Sequence, residues 1–470
     1  MPSLRRSNNH VRARRSLEGE GAALAPAPYR VFRDLLPNGL RLSTIETPHL
    51  HSAVVAIYVR AGARYETPRN NGLSHFVEHM LFRGSAKYPT SFLLNQAIEE
   101  RGGTLYAETG RDYSLYHVAL RPRDVSVAMD ILGDLFAAPT FRDIELERPI
   151  ILEEILEDLD DRGRNVNIHD ISRASAWGDH PLGLPVIGPA RNVRRFTTAD
   201  VRRHFKQLYG ARNMALCVAG RVEHEEVRAL ATRAFARVPA GRRVEPRPAR
   251  ADFGSKPIKR SAPAKQRAKQ SGGPRIKFVS DEGSQVQVQL VFHALPETDT
   301  LYPALATLLR LVDDGMSTPL HYRVCDQKGL AYSVSAGLEP LHDATLVEID
   351  AACSADNLAP LLREILLILH ERKTVPVDEA ALEKVKRRYI GDLEAGFDDL
   401  DGLCGWFGGT ELFFRPYSHI ERARRIQRVT AAEVRAVAAQ VFSPERLTAV
   451  AVGPVKPKLA AEVRRLLKTM

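Results

Sequence analysis

At 470 residues the chain is too long for one ordinary core, because single cores stop growing at roughly 250–300 residues and longer chains divide into domains. Hydrophobic residues at 44% and charged residues at 26% exclude an intrinsically disordered protein, and no apolar run approaches the roughly 18–20 residues of a bilayer span. The formal charge of +10 is local: residues 1–15 carry five arginines and no acid, and residues 241–277 carry twelve Lys or Arg against Glu245 and Asp252, so no folded nucleic-acid surface is expected.

Residues 1–28 lack the apolar core of a secretory signal and read as a disordered basic tail. Asn38-Gly39 lies at a turn between two strand-like runs, and Ala53–Val59 is a continuous β-branched strand. Helices are expected at 72–83 and 91–101, followed by two strands within Thr104–Leu120 connected near Gly110. Helices dominate from Val125 to Asp160; Ala215–Ala219 is a short strand and 223–236 a helix. The Pro-, Lys- and Arg-rich stretch 241–275 reads as a flexible linker. Beyond it the same order restarts, with strands at 285–292, 331–334, 345–351 and 447–452 and helices at 301–314, 356–372, 377–398 and 430–441. This pattern predicts an α+β protein of two similar α/β-sandwich halves, residues 29–240 and 276–470, each a mixed sheet with helices packed on one face.

The four cysteines are scattered, without a Cys-x-x-Cys pair, and fit neither a disulfide framework nor a thiolate metal site. A reducing compartment suits them, so the expected location is cytoplasmic. An arginine-rich start keeps a mitochondrial location open, and a periplasmic one stays open too.

The chemistry centres on Gly72-Leu-Ser-His75-Phe-Val-Glu78-His79-Met. On a helix, positions four apart share a face, so His75 and His79 can converge on one ion, with Glu78 bordering them. Leu73, Phe76, Val77 and Met80 form a second, apolar stripe that anchors the helix. Imidazole and carboxylate are natural zinc ligands, and a catalytic zinc takes three protein ligands with one open position. Glu78 would then act as general base toward water in that position. A third ligand is needed, and Glu145-Leu-Glu147-Arg148-Pro149-Ile-Ile-Leu-Glu153-Glu154 lies downstream, with Glu147 and Glu154 two helical turns apart on one face. Two surface histidines and a solvated acidic helix would look the same at this level.

His75-x-x-Glu78-His79 is the inverzincin order, and with its flanks the chain resembles the pitrilysin-type metallopeptidases. The likeness is to the short two-domain branch that includes the mitochondrial processing peptidase and its bacterial homologues. In that family a glutamate follows the zinc helix after about 74 residues, and residues 80–153 separate His79 from Glu154. The resemblance therefore implies His75, His79 and Glu154 as ligands of one Zn2+ per chain, Glu78 as catalytic base and Glu147 as a supporting acid. Gly102-Gly103, His180-Pro-Leu-Gly183, Asn213-Met214 and Gly329-Leu-Ala-Tyr332 also match.

Three departures stand out. Tyr106 precedes Ala107 where the family has an asparagine on a substrate-binding strand. Pro149 lies between Glu147 and Glu154, so it either kinks the helix or begins it, and in the second case Glu147 need not face the metal. Tyr332 is present, but the arginine that the family carries seven residues earlier is Cys325. A thiol does not replace a guanidinium fork, so a homologous partner subunit supplying an arginine–tyrosine pair is expected, unless Arg323 substitutes from a neighbouring strand-like position. The resemblance implies an endopeptidase acting on unfolded peptides inside an enclosed chamber, with Tyr106, Ala107 and Tyr332 as substrate contacts. A non-catalytic assembly subunit of the same fold is the alternative.

Overall fold

The computed structural model describes residues 27–249 and 273–470. Nearly all of the expected basic tail and most of the linker therefore lie outside the described residues. In chain order the first half contains β1 (Arg30–Leu35), β2 (Arg41–Glu46), β3 (Ala53–Val59), α1 (Leu73–Phe82), α2 (Ser91–Glu99), β4 (Thr104–Thr109) and β5 (Ser114–Leu120). It continues with α3 (Val125–Ala137), α4 (Ile144–Leu156), α5 (Ile168–Trp177), α6 (Ala190–Val193), α7 (Thr198–Leu208), β6 (Met214–Gly220) and α8 (His224–Ala234). The second half contains β7 (Arg275–Ser280), β8 (Val286–Ala294), α9 (Tyr302–Val312), α10 (Pro319–His321), β9 (Val334–Leu341), β10 (Ala344–Cys353) and α11 (Leu358–Thr374). After these come α12 (Glu379–Ala395), α13 (Leu400–Cys404), α14 (His419–Gln427), α15 (Ala431–Val441), β11 (Leu447–Gly453) and α16 (Pro457–Leu467).

The two sheets share a five-strand order, which β1 extends by one strand in the first. The first runs β1-β2-β6-β3-β5-β4 and the second β7-β11-β8-β10-β9, and each has a single parallel pair, β2 with β6 and β7 with β11. Local signals recur at equivalent places: Thr197 with Asp200 and Thr430 with Glu433 form capping boxes at the starts of α7 and α15. The duplication expected from pattern is thus present as repeated architecture. Central strands β3 and β6 are buried along their whole length, as continuous apolar runs require.

Each half packs its own helices on one sheet face and covers the other face with a segment from the opposite half. Ile168, Ile171 and Trp177 of α5 lie on the second sheet, against Val450, Val452, Val291 and Leu346. Leu400, Leu403, Cys404 and Phe407 lie on the first sheet, against Val54, Ala56, Tyr58 and Cys217. The fit there is close: a Cβ on Gly408 would stand 2.4 Å from the Cys217 Cβ, so only glycine is accommodated. The hairpin tips also meet, where the buried Arg64 guanidinium pairs with Asp112 at 2.9 Å and Asp343 at 2.5 Å.

Two local expectations change. Residues 331–333 precede β9, which begins at Val334, because the chain first completes a wide helical turn over Tyr322–Gln327 and reverses at Gly329 with φ +56°. Residues 241–249 opened the expected flexible linker, yet they are fixed: the Val244 amide donates to Asn213, the Arg247 carbonyl accepts from Arg64, and the Ala249 amide donates to Asp343.

Candidate metal centre

Helix α1 begins at Gly72, at φ +100°, without a capping side chain of its own. Glu66 fills that role from six residues upstream: its carboxylate accepts from the Gly72 amide at 2.8 Å, the Ser74 amide at 2.6 Å and the Asn71 side-chain amide at 2.9 Å. Burial pushes the Glu66 carboxyl above its usual range, against the opposing pull of those bonds, and the positive end of the helix dipole favours its charge. Ser74 Oγ accepts from the Gly62 amide and lies 2.9 Å from His204 Nε2. Burial pulls His204 down to about 4, so it is neutral near pH 7. Leu73, Phe76, Val77 and Met80 are buried on the core side, which turns the His75 and His79 rings toward α4.

Helix α4 passes through Pro149 without ending. A proline in that position forfeits one backbone hydrogen bond. Next to it, Arg148 ties the helix to the following loop, donating to the carbonyls of Val193 at 2.5 Å and Phe196 at 2.9 Å. Ile151 and Ile155 face the core, while Glu147 and Glu154 face α1.

His75, His79 and Glu154 each place one ligand atom in a group spanning less than 4.8 Å. Glu154 Oε1 is 3.4 Å from His75 Nε2, and Glu154 Oε2 is 3.5 Å from His79 Nε2. Ligand atoms held at about 2.0–2.1 Å from one tetrahedral zinc stand roughly 3.3–3.4 Å apart. The donor set therefore fits a zinc ion with little rearrangement. His79 Nδ1 donates to Glu147 Oε1 at 2.9 Å, which leaves the Nε2 lone pair facing the centre, the arrangement that orients metal-binding imidazoles.

The electrostatics also call for a cation. Burial alone would lower His79, but the bonds and charges of Glu147 and Glu154 outweigh it and push His79 up to about 9. Glu154, bonded by His75 and then His79, is held far below the usual carboxylate range despite its burial. Two carboxylates thus stabilise positive charge at the His79 ring. Glu78 sits beside this group, its Oε2 accepting the Thr109 hydroxyl from β4 at 2.5 Å.

The other anticipated residues fall elsewhere. On β4, Leu105 and Ala107 pack toward the core and Thr109 reaches Glu78, so Ala107 lies on the α1 side of the sheet. Tyr106 alternates to the opposite side, with its ring edge-on to His117 at 5.2 Å. Tyr332 is 94% exposed on the loop before β9. Arg323 lies on a helical turn, not a strand, and its guanidinium is bound to Glu364 at 2.5 Å and Glu371 at 2.7 Å. Arg323 is thus engaged by two carboxylates in this arrangement. Sequence reasoning passed over Glu66 and Thr109. Only Thr109 left a signal, its alternation with Leu105 and Ala107 on the strand.

Similarity to known proteins points to one family. Residues 41–190 match the model of the insulinase family, peptidase family M16, and residues 195–389 match that of the peptidase M16 inactive domain. The chain is 32% identical over 447 residues to an uncharacterized zinc protease of Mycobacterium bovis, covering 94% of this chain and 96% of that protein. It is 27% identical over 431 residues to the mitochondrial-processing peptidase subunit beta of Dictyostelium discoideum, covering 89% and 88% of the two chains. A protease from Helicobacter pylori shares the fold with a TM-score of 0.79 at 18% identity, covering 91% of this chain and 100% of that one.

Proposed function

Since the chain belongs to peptidase family M16, we propose that it is a zinc-dependent endopeptidase with one ion per chain, held by His75, His79 and Glu154. The observation that carries this reading is the convergence of three ligand atoms from two helices, at separations suited to a tetrahedral ion. When bound, zinc supplies a Lewis acid that lowers the pKa of water to about 7 and polarises a carbonyl oxygen. Glu78 accepts the proton of the attacking water and delivers it to the leaving amine nitrogen as the peptide bond breaks. Thr109 holds the Glu78 carboxylate in one orientation, and Glu147 holds the His79 ring.

The substrate class is an unfolded peptide, and the enclosure around it requires a second, homologous chain. Supporting this is the packing, among the described residues, of a segment of each half on the other half's sheet, which fits a chamber closed by a second chain. The partner supplies an arginine that this chain lacks at Cys325, together with a tyrosine. Among the described residues no helix is long and apolar enough to cross a membrane. Four free thiols fit a reducing compartment such as the cytoplasm.

The test is elemental analysis of purified protein combined with cleavage of an unstructured peptide, alone and with an arginine-bearing homologous subunit. Expected are about one zinc per chain, low activity alone and restored activity in the mixture. Glu78→Gln should keep its zinc and lose about 10²–10⁴-fold in kcat. Loss of zinc from that variant would show that Glu78 is a ligand rather than the base. A zinc-bearing chain that never cleaves peptides, with or without the partner, belongs to a non-catalytic assembly subunit.

A further inference from the structure

The duplicated architecture places a second cavity in the half without the metal motif. Helix α9 stands beside edge strand β9 and packs on α12 as α1 stands beside edge strand β4 and packs on α4, and α15 packs on α9 as α7 packs on α1. Between α9, α12 and α14 lies a cavity of about 290 Å³, at the lower end of the size of small-molecule sites. Tyr389 is the eleventh residue of α12, as Glu154 is of α4. Where the first half assembles imidazoles and carboxylates, the second assembles rings and guanidinium groups.

The charges in this cavity are unequally used. Arg310 is neutralised by Asp314 and by Asp392 at 2.5 Å. Arg422 and Arg425 are not: Arg422 donates to the Tyr389 hydroxyl at 3.3 Å and Arg425 to the Asp299 carbonyl at 3.2 Å, and among the described residues neither is in an ion pair. Both lie over rings, Arg422 with its Cζ 3.9 Å from the Trp406 centroid and Arg425 with its Cζ 4.3 Å from that of Tyr417. A ring beneath the guanidinium carbon restrains each fork and leaves N–H groups for an acceptor. The remaining charged wall is Glu297, half-buried, whose carboxyl burial pushes up against the opposing pull of Arg422 and Arg425.

We propose that this cavity binds the carboxylate of an organic acid with an aromatic or large apolar body. The two arginines would take the carboxylate, and the Tyr302, Leu338 and Trp406 surfaces would take the body. A bidentate arginine–carboxylate pair supplies orientation as well as strength. Glu297 competes for the same guanidinium groups, so it sets the affinity without contributing to recognition of the acid. The acid can be free or the last residue of a peptide, and the chemistry recognised is the same. The site is independent of zinc and of Glu78.

Isothermal titration of the full-length, metal-free chain with N-acetyl-phenylalanine tests it, with the corresponding amide as control. Expected is saturable 1:1 binding of the acid and at least tenfold weaker binding of the amide. Arg422→Gln and Arg425→Gln should each weaken the acid about tenfold, while Glu297→Gln should tighten it several-fold. Thermal unfolding of each variant checks that it folds, and quenching of Trp406 emission in a Trp177→Phe background provides a second readout. A longer peptide ending in phenylalanine that binds tighter than the small acid identifies a chain end as the source. Preference for the small acid identifies a free acid, and either supports the site. Equal binding of acid and amide, unchanged affinity in both arginine variants, weaker binding in Glu297→Gln, or no saturable heat up to about 10 mM overturns the proposal.

Discussion

Thr109 donates its hydroxyl to the Glu78 carboxylate from a neighbouring strand, so it acts on the base without touching the ligand atoms. Valine at that position keeps the shape and removes the bond. One lost charge-assisted hydrogen bond corresponds to about 1.5–3 kcal/mol, so Thr109→Val should lower kcat by at least roughly tenfold while leaving zinc content unchanged; equal kcat would show that the contact is incidental. Glu147 differs, because it holds His79 Nδ1 at 2.9 Å and acts on the ligand itself. Glu147→Gln should weaken zinc about 10- to 100-fold, measured by competition with a chelator, and unchanged affinity would rule out that orienting role. His75, Glu78 and His79 could be singled out from sequence because helical spacing converts into a shared face and because metal ligands come from few residue types, whereas Glu154 was reached only through the family resemblance. Thr109 and Glu66 are of common types and meet α1 only through the fold, which is why no motif marks them. Tyr106 shows the converse limit: its place beside Ala107 in the sequence says nothing of side, and strand alternation sends its ring to the far face.

Helix α1 carries both imidazoles on a segment of ten residues, too short to be stable without outside support. Its support comes from the apolar stripe beneath and from Glu66 at its N-terminus. Removing that carboxylate strands two buried backbone amides and one side-chain amide. Glu66→Ala should therefore cost roughly 2 kcal/mol or more, at about 1–3 kcal/mol for a buried group left unsatisfied, read by urea unfolding of the metal-free protein. It should also weaken zinc, because fraying the first turn moves His75. Glu66→Gln, which retains a carbonyl acceptor, should recover part of both losses; a Glu66→Ala protein as stable as wild type would mean that the helix does not depend on this cap. The continuous apolar run of β3 and the two-faced helix α1 were legible with their boundaries nearly right, whereas α4 was placed only within the helical stretch Val125–Asp160. The helical turn over Tyr322–Gln327 was not, because Gly329 and the β-branched Val334 beyond it imitate a strand opening when read locally.

Reciprocal covering of the sheets joins the two halves through shared apolar clusters, and this was hidden from the sequence for a physical reason. The apolar faces of α5 and of residues 400–407 match the opposite half's sheet, and amphipathic period reports that a face is buried without reporting against what. The polar part of this junction gives a test at the same scale. Arg173 of α5 donates to Glu339 at 2.9 Å and Gln289 at 3.0 Å and is also bonded to Glu348, while Gln289 donates to Asp350 at 2.7 Å. Two carboxyl groups thus share one buried guanidinium, and a third, Asp350, reaches it only through Gln289. Burial, followed by the neighbouring carboxylates, pushes Glu348 well above its ordinary 4.5, although Arg173 pulls it down. A carboxyl whose folded value is raised binds more protons in the folded state, so its stabilising contribution is full below about pH 4.5 and is lost as pH rises toward the folded value. Glutamine mimics the protonated form and does not titrate. Wild type and Glu348→Gln should therefore be of similar stability near pH 5, and the variant should become the more stable by on the order of 1 kcal/mol or more toward pH 8. Paired denaturant melts across that range measure the difference, and a wild type that gains on the variant with rising pH would show that Glu348 is held ionised by Arg173 instead.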